Sequence, residues 1–213
     1  MKNLNNNLNI KILPKVSGGK LFWIYKRYFD LIISVCLLPV LFIIMIFLLF
    51  MNLFTDSSSI FYIQKRMGKD CHSFNAIKFK TMTDIKKIER KYDDPVESHR
   101  ITRLGRILRQ TRLDELPQII NVIKGDMSLI GPRPDYFEHA IIYSNIITEY
   151  AGRHVIKPGI SGLAQIRLGY AEGLDATRNK TEVDIYYIEN VNIYLDMKIL
   201  LNTFLVMIKR IGN

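Results

Sequence analysis

The chain has 213 residues, of which 48% are hydrophobic and 23% charged, and its formal net charge is +10. This length suits one domain of ordinary size with an appendage, which is enough to bury a core. The two cysteines support neither a disulfide framework nor a metal site. The basic charge is not accompanied by a zinc-ligand spacing or an aromatic ribonucleoprotein motif, which argues against nucleic acid as a partner.

The N-terminal part predicts an arm followed by a membrane segment. Residues 1–20 are rich in Asn and Lys and are expected to be flexible. From Leu31 to Met51 no charged residue occurs, and this run is long enough for a membrane segment, which we place at residues 21–55. Pro39 lies near its middle, where it removes a backbone donor and bends or breaks a helix.

Two topologies fit this apolar run. Hydropathy alone favours an ordinary kinked transmembrane helix. However, basic residues on both sides of the run draw both of its ends toward the cytoplasm by the positive-inside rule. We therefore predict a re-entrant helix-break-helix that enters one leaflet, breaks near Pro39 and returns.

A β-hairpin is predicted after the apolar run. Residues 59–65 and 72–79 are strand-like and flank the turn signal Arg-Met-Gly-Lys-Asp. The second strand ends in Lys78 and Lys80, both plausible phosphate contacts, although a solvated lysine on a strand edge explains Lys80 equally well. The polar segment 83–99 is predicted to be a loop.

A basic helical stretch leads to a pair of acids. Its arginines recur at every third position, at Arg103, Arg106, Arg109 and Arg112. Asp114 and Glu115 follow at once. An ionised carboxylate is a competent nucleophile toward an activated phosphoryl group, and arginine grips phosphate oxygens two at a time.

This chemistry assigns a role to each group. Arg109, Arg112 and Arg133 are the candidate phosphate ligands, and their charge is expected to keep the pKa of Asp114 low. Glu115 would hold a divalent ion, and Mg²⁺ is expected because it prefers a few carboxylates plus substrate phosphates. The structural alternative is a helix start in which Asp114 caps backbone donors.

The C-terminal third predicts a turn and helices. Residues 157–162 form a turn-rich segment whose glycines permit close backbone approach. Residues 184–190 and the amphipathic stretch 193–211 are expected to be helical. The second of these lies in the membrane interface or packs in the core, and the pattern leaves both open.

Five motifs together resemble the bacterial sugar transferase family, the monotopic phosphoglycosyl transferases. In the family's order they are KFKTM (78–82), LDELPQ (113–118), NVIKGDMSL (121–129), GPRP (131–134) and KPGISG (157–162). The resemblance extends from about Lys26 to about Arg210. It departs from the family pattern at Leu38, where a serine often precedes the proline, and at Ser98-His99, where Asp-Pro is common.

The resemblance implies a reaction and a location. A sugar 1-phosphate would pass from a UDP-sugar to polyprenol (undecaprenyl) phosphate with release of UMP, through a phosphosugar intermediate on Asp114, with Glu115 as the Mg²⁺ ligand. It also implies a re-entrant membrane helix and a catalytic domain on the cytoplasmic face of the bacterial inner (plasma) membrane, where surface glycan assembly begins. Lys78 is favoured over Lys80 as the lysine near the active site.

The sequence therefore predicts an α+β, mostly helical chain. It comprises the arm, the re-entrant segment, and a catalytic domain over residues 56–213 that contains the hairpin and membrane-interface helices. Two alternatives stay open: a non-catalytic, basic, membrane-anchored interaction module, and the same transfer through a ternary complex with Asp114 as base. The identity of the sugar and a homo-oligomeric state are also open.

Overall fold

A computed structural model describes residues 13–52, 59–83, 97–169 and 173–208. The described part is mostly helical, which confirms that expectation. Its α-helices are α1 (Lys20–Asn52), α2 (Arg103–Gln110), α3 (Gln118–Lys124), α4 (Phe137–Ile146), α5 (Leu163–Leu168), α6 (Leu174–Asn190) and α7 (Ile193–Ile208). Short 3₁₀ turns occupy Lys69–Cys71, Ser98–Arg100, Leu113–Glu115 and Tyr150–His154.

The predicted hairpin is present. Strands β1 (Phe61–Met67) and β2 (Ser73–Phe79) pair antiparallel, with Tyr62 opposite Lys78. The turn lies further along the chain than the sequence suggested, because Arg66 and Met67 belong to β1 and residues 68–72 join the strands. The segment that was predicted to be a plain turn at 157–162 contains β4 (Gly159–Ser161), which pairs in parallel with β3 (Ser128–Ile130).

Helix α1 is continuous. Its 33 residues include Pro39 inside the helix, so the predicted break into two helices is wrong as a statement about secondary structure. At 1.5 Å per residue the helix is about 50 Å long. Within the described residues it is the one helix long and apolar enough to cross a membrane. Proline is tolerated here because neighbouring groups and small local adjustments can compensate for the lost backbone bond.

The first half of α1 is fastened to the rest of the protein by polar contacts. Lys26 forms a buried ion pair with Asp196 of α7 at 2.6 Å. Arg27 donates to the carbonyl oxygens at the C-terminal end of α3, Val122 O at 2.6 Å and Ile123 O at 3.0 Å. A cation at this end of a helix is favoured by the helix dipole.

The second half of α1 packs through apolar side chains. Leu41 and Leu48, both beyond Pro39, are buried in one cluster with Phe79, Leu108 and Ile119. Both halves of the helix therefore contact the domain that carries the acidic pair. The outward face of α1 is apolar over most of its length and includes Ile32, Val35, Phe42, Ile43, Phe47 and Phe50.

Two contacts join the hairpin to the helices that carry the arginines and the acids. Asn121 of α3 accepts a hydrogen bond from Ile77 N (3.1 Å) and donates to Asn75 O (2.8 Å). Helix α2 approaches the end of β2 so closely that a Cβ at Gly105 would lie 2.1 Å from Thr81 O. Only glycine fits there, and this proximity fixes α2 beside the hairpin.

The remaining predictions are met in part. The C-terminal segments are helical, as α6 and α7, but their position relative to a membrane stays a prediction. Residues 1–12 of the arm, 53–55 of the membrane segment, 84–96 of the loop and 209–211 of the last helix lie outside the described residues.

Candidate functional site

The acidic pair lies in a tight turn directly before α3. Asp114 and Glu115 belong to the 3₁₀ turn Leu113–Glu115 and are only 8% and 6% exposed. Arg112, just before the turn, adopts a left-handed backbone conformation with φ of +59°. This conformation is uncommon for a residue other than glycine, and it turns the chain so that both acids point inward.

The capping alternative is not what the structure contains. Helix α3 begins at Gln118 with Pro117 at the preceding position, and Asp114 accepts no capping hydrogen bond from any described residue. The helix start predicted from Leu-Asp-Glu-Leu-Pro is real, but it begins a few residues later. Asp114 therefore remains available for another task.

Glu115 is neutralised by two cations. Its Oε1 accepts from Lys78 Nζ at 2.6 Å and from Arg133 Nη2, while its Oε2 accepts from Arg133 Nη1 at 2.8 Å. Burial would raise the pKa of Glu115, but Arg133 and Lys78 hold it well below its usual range. Burial lowers the pKa of Lys78 to about 8 despite its glutamate partner. The pair is thus ionised at neutral pH.

Asp114 has a different environment. Burial raises the pKa of its carboxyl above the ordinary value, and repulsion from Glu115 adds to the effect. The nearby cations Lys78, Arg133 and Arg109 oppose this rise without cancelling it. The expectation of a low pKa for Asp114 is therefore wrong, because burial and the adjacent Glu115 outweigh the nearby cations.

The remaining predicted cations, Arg109, Arg112 and Lys80, make different contacts. Arg109 on α2 donates through Nε to Thr81 Oγ1 at 2.8 Å, and no described residue binds its terminal nitrogens. Arg112 contributes its backbone to the turn. Lys80 follows β2 and donates its backbone N–H to Ile60 O at 2.8 Å, whereas Lys78 is the lysine that meets Glu115.

The loop that carries Arg133 is held from two sides by residues that sequence reasoning missed. Arg66 Nη1 donates to Pro134 O, and Arg153 Nη2 donates to Arg133 O at 2.7 Å. Arg66 was hidden in the segment assigned to the hairpin turn. Arg153 carries no local signal, since the contact spans 20 residues.

The carboxylates of the acidic pair suit a metal ion only if substrate oxygens complete its coordination shell. No group of three or more His, Cys, Asp or Glu side chains within the described chain could hold a metal. Mg²⁺, however, is commonly bound by one or two carboxylates together with substrate phosphates. Asp114 and Glu115 fit that arrangement, Glu115 through lone pairs not used by its two cations.

Comparison with known proteins agrees with this geometry. The sequence matches the family model described as bacterial sugar transferase over residues 21–210. The chain belongs to the bacterial sugar transferase family. The match covers the hairpin, the acidic pair, α7 and all of α1 except its first residue, Lys20.

Several relatives of this bacterial sugar transferase have assigned activities. The chain is 35% identical over 198 residues to a UDP-N-acetylgalactosamine-undecaprenyl-phosphate N-acetylgalactosaminephosphotransferase of Aeromonas hydrophila, covering 93% of this chain and 47% of that protein. It is 37% identical over 200 residues to a UDP-glucose:undecaprenyl-phosphate glucose-1-phosphate transferase of Caulobacter vibrioides, covering 90% and 71%. An uncharacterized sugar transferase, EpsL, of Bacillus subtilis is 37% identical over 177 residues, covering 83% and 84%. The chain thus spans about half the length of the Aeromonas protein.

Proposed function

We propose that this protein transfers a sugar 1-phosphate from a UDP-sugar to undecaprenyl phosphate, releases UMP and so begins the assembly of a surface glycan. The names of the Aeromonas and Caulobacter relatives support this class of donor and acceptor. They differ in the sugar, N-acetylgalactosamine in one and glucose in the other, so the donor sugar of this chain is open.

The main support for the proposal is that two adjacent carboxylates differ in their hydrogen-bond partners. Glu115 is bound by Lys78 and Arg133, whereas Asp114 accepts no hydrogen bond from the described residues. A carboxylate with unengaged oxygens is the one able to form a new bond. The cations beside it would hold the diphosphate and offset the repulsion between two anions.

The reaction follows in two displacements. An oxygen of Asp114 attacks the phosphorus that bears the sugar, and the bond from that phosphorus to the bridging oxygen breaks, so that UMP leaves with the electron pair. A phosphate oxygen of undecaprenyl phosphate then attacks the same phosphorus and frees the Asp114 carboxylate. Arg109, Arg133 and Lys78 bind the phosphate oxygens during both steps. Arg112 and Lys80 stay candidate phosphate ligands in this scheme.

Mg²⁺ fits the same site as a cofactor. When bound by Glu115, with Asp114 nearby, it supplies further neutralisation of the diphosphate charge. The protein's own contribution is to hold Glu115 in one position through Arg133 and Lys78, and to exclude water by burying both acids.

The membrane arrangement is part of the proposal. We place the catalytic domain on the cytoplasmic face of the bacterial inner membrane, with α1 embedded in one leaflet. Two features support a helix that stays with the domain and does not cross the bilayer. Leu41 and Leu48, which lie beyond Pro39, pack against the domain. Lys26, in the first half of the helix, is paired with Asp196. The exposed apolar face of α1 then meets lipid.

A release assay tests the function. Purified protein in nanodiscs, given undecaprenyl phosphate and a panel of UDP-sugars, is expected to release UMP with at least one donor. Asp114→Asn is expected to abolish release while the protein stays folded, and Asp70→Asn, at an exposed turn, is expected to leave it unchanged. Release by Asp114→Asn at the wild-type rate would contradict the assigned role, and no release with any donor would favour a non-catalytic module.

A further inference from the structure

A network of four charged side chains lies behind the loop Gly131–Pro134, and two of them, Arg153 and Asp184, are fully buried. Arg153, in the turn Tyr150–His154, donates to Asp184 of α6 at 2.6 Å and to Asp135 at the end of the loop. Lys180 of α6 donates to the other oxygen of Asp135 at 2.5 Å. The side chain of Arg153 is 0% exposed and that of Asp184 is 1% exposed.

Arg153 is too deeply buried to touch a substrate. Burial alone would lower its pKa, but Asp184 and Asp135 raise it, so the guanidinium stays charged. A buried ion network of this kind is not required for stability, since apolar residues of similar volume are often as stabilising. The contacts that Arg153 makes outside the network therefore indicate its role in the protein.

Besides its cation–π contact with the Tyr150 ring, Arg153 makes a contact that leads to the acidic pair. Arg153 Nη2 donates to the backbone carbonyl of Arg133 at 2.7 Å, and the side chain of Arg133 donates to both oxygens of Glu115. Arg66 holds the next carbonyl, that of Pro134, from the hairpin side. The backbone behind the Arg133 guanidinium is thus fixed at two successive carbonyls, one of them by a residue out of reach of solvent.

We propose that Arg153 is a positioning residue for phosphosugar transfer, which holds the Arg133 backbone so that the Arg133 guanidinium meets Glu115 and the donor diphosphate in one geometry. The proposal rests on the proposed function, because it assigns Arg133 a task in that reaction. A misplacement of about 1 Å in a reacting group can cost roughly 100-fold in rate.

Paired variants separate positioning from stability. Arg153→Met with Asp184→Asn removes the donor without leaving an uncompensated buried carboxylate at position 184. Lys26→Met with Asp196→Asn is the matched control, since it removes another buried ion pair of 2.6 Å. Asp184→Asn alone removes the negative charge opposite Arg153 but keeps the bond to Arg133 O.

At a temperature where every variant is folded, kcat for UMP release is expected to fall about 10- to 100-fold in Arg153→Met/Asp184→Asn. The Lys26→Met/Asp196→Asn control and Asp184→Asn alone are expected to stay within about 2-fold of wild type, because they leave the Arg133 carbonyl bound. Equal kcat in the Arg153 double variant and its control would overturn the proposal, and so would an equal loss in Asp184→Asn alone.

A second measurement does not depend on activity. The Arg133 Nε–H signal, observed by ¹⁵N NMR of arginine-labelled protein, is expected to shift or broaden in Arg153→Met/Asp184→Asn and to stay unchanged in the control. An unchanged signal in both overturns the positioning role. A wild type that releases no UMP while this signal still responds would instead remove the proposed function and leave the positioning in place.

Discussion

Asp114 and Glu115 are adjacent in the sequence, but their partners make them chemically different. Glu115 shares its oxygens with Lys78 and Arg133, whereas Asp114 accepts no hydrogen bond from the described part of the chain and has a pKa raised by burial. The acids were recognisable from sequence, since adjacent carboxylates among arginines indicate phosphate chemistry. Their division of partners was not, because Lys78 and Arg133 lie 37 and 18 residues from Glu115.

A single buried histidine makes folding sensitive to pH. Burial and the neighbouring Arg153 lower the pKa of His154 to about 3. Asp135, which raises that pKa, and Lys180, which lowers it, also face the ring. An unfolded histidine titrates near about 6.5, so between these values the unfolded state binds more protons and stability falls as pH falls.

His154→Phe is expected to remove this dependence. The wild type should lose about 2 kcal/mol of unfolding free energy more than the variant between pH 7 and pH 5, measured by urea unfolding in detergent micelles. His72→Phe, at an exposed position, is the control and should retain the wild-type slope. Equal slopes for His154→Phe and wild type would show that the buried ring already takes up a proton at pH 5.

At the scale of elements, the site is assembled where α2, β2 and α3 meet. Asn121 ties α3 to β2, and the missing side chain at Gly105 lets α2 reach the carbonyl of Thr81. Arg109, one turn along α2, then donates to the hydroxyl of the same threonine at 2.8 Å. The position of Arg109, a proposed phosphate ligand, therefore depends on a close contact between two backbones.

Gly105→Ala tests this dependence. A methyl group 2.1 Å from a backbone oxygen must push α2 away, which is expected to destabilise the protein by about 1–3 kcal/mol and to lower UMP release by displacing Arg109. Gly19→Ala is the control, because nothing lies within 4 Å of its added carbon. Thermal unfolding and release assays on both variants provide the measurement, and a fully stable, fully active Gly105→Ala would refute the close contact.

The sequence predicted the elements whose signals are local. The hairpin was visible as two strand-like segments around a turn signal, and residues 184–190 of α6 and the length of α7 were visible as helical stretches. The pairing of β3 with β4 was not, because three-residue strands carry little pattern and a parallel pair needs a long crossover. Pro39 suggested a break, but α1 continues through it, and both halves of the helix pack against the domain.

At the scale of the whole molecule, α1 and the catalytic elements form one packed body. Its first half is joined through Lys26 and Arg27 and its second through Leu41 and Leu48. The helix is about 50 Å long, and one of its faces packs against the domain while the other is exposed. Such a helix can lie along a membrane surface or bend into one leaflet. Placing the acids beside this helix would let a lipid acceptor and a water-soluble donor meet.

Labelling tests this topology. In a Cys36→Ser/Cys71→Ser background, single cysteines are placed at Lys20 and Ser59, on either side of the apolar run. In inverted vesicles, whose outer surface is the cytoplasmic side, both cysteines are expected to react with an impermeant maleimide added outside. The physical reason is that basic flanks and a packed second half keep both ends with the domain. Reaction from opposite sides would establish a transmembrane helix.

The most direct test of the account is the mass of the protein after exposure to its donor alone. Wild-type protein, given the UDP-sugar selected by the release assay and no undecaprenyl phosphate, is expected to gain the mass of that sugar phosphate. Peptide mapping is expected to locate the gain at Asp114, and Asp114→Asn should not acquire it. A wild type that releases UMP only when undecaprenyl phosphate is present, and never carries the adduct, would contradict a covalent intermediate and assign Asp114 the role of a base.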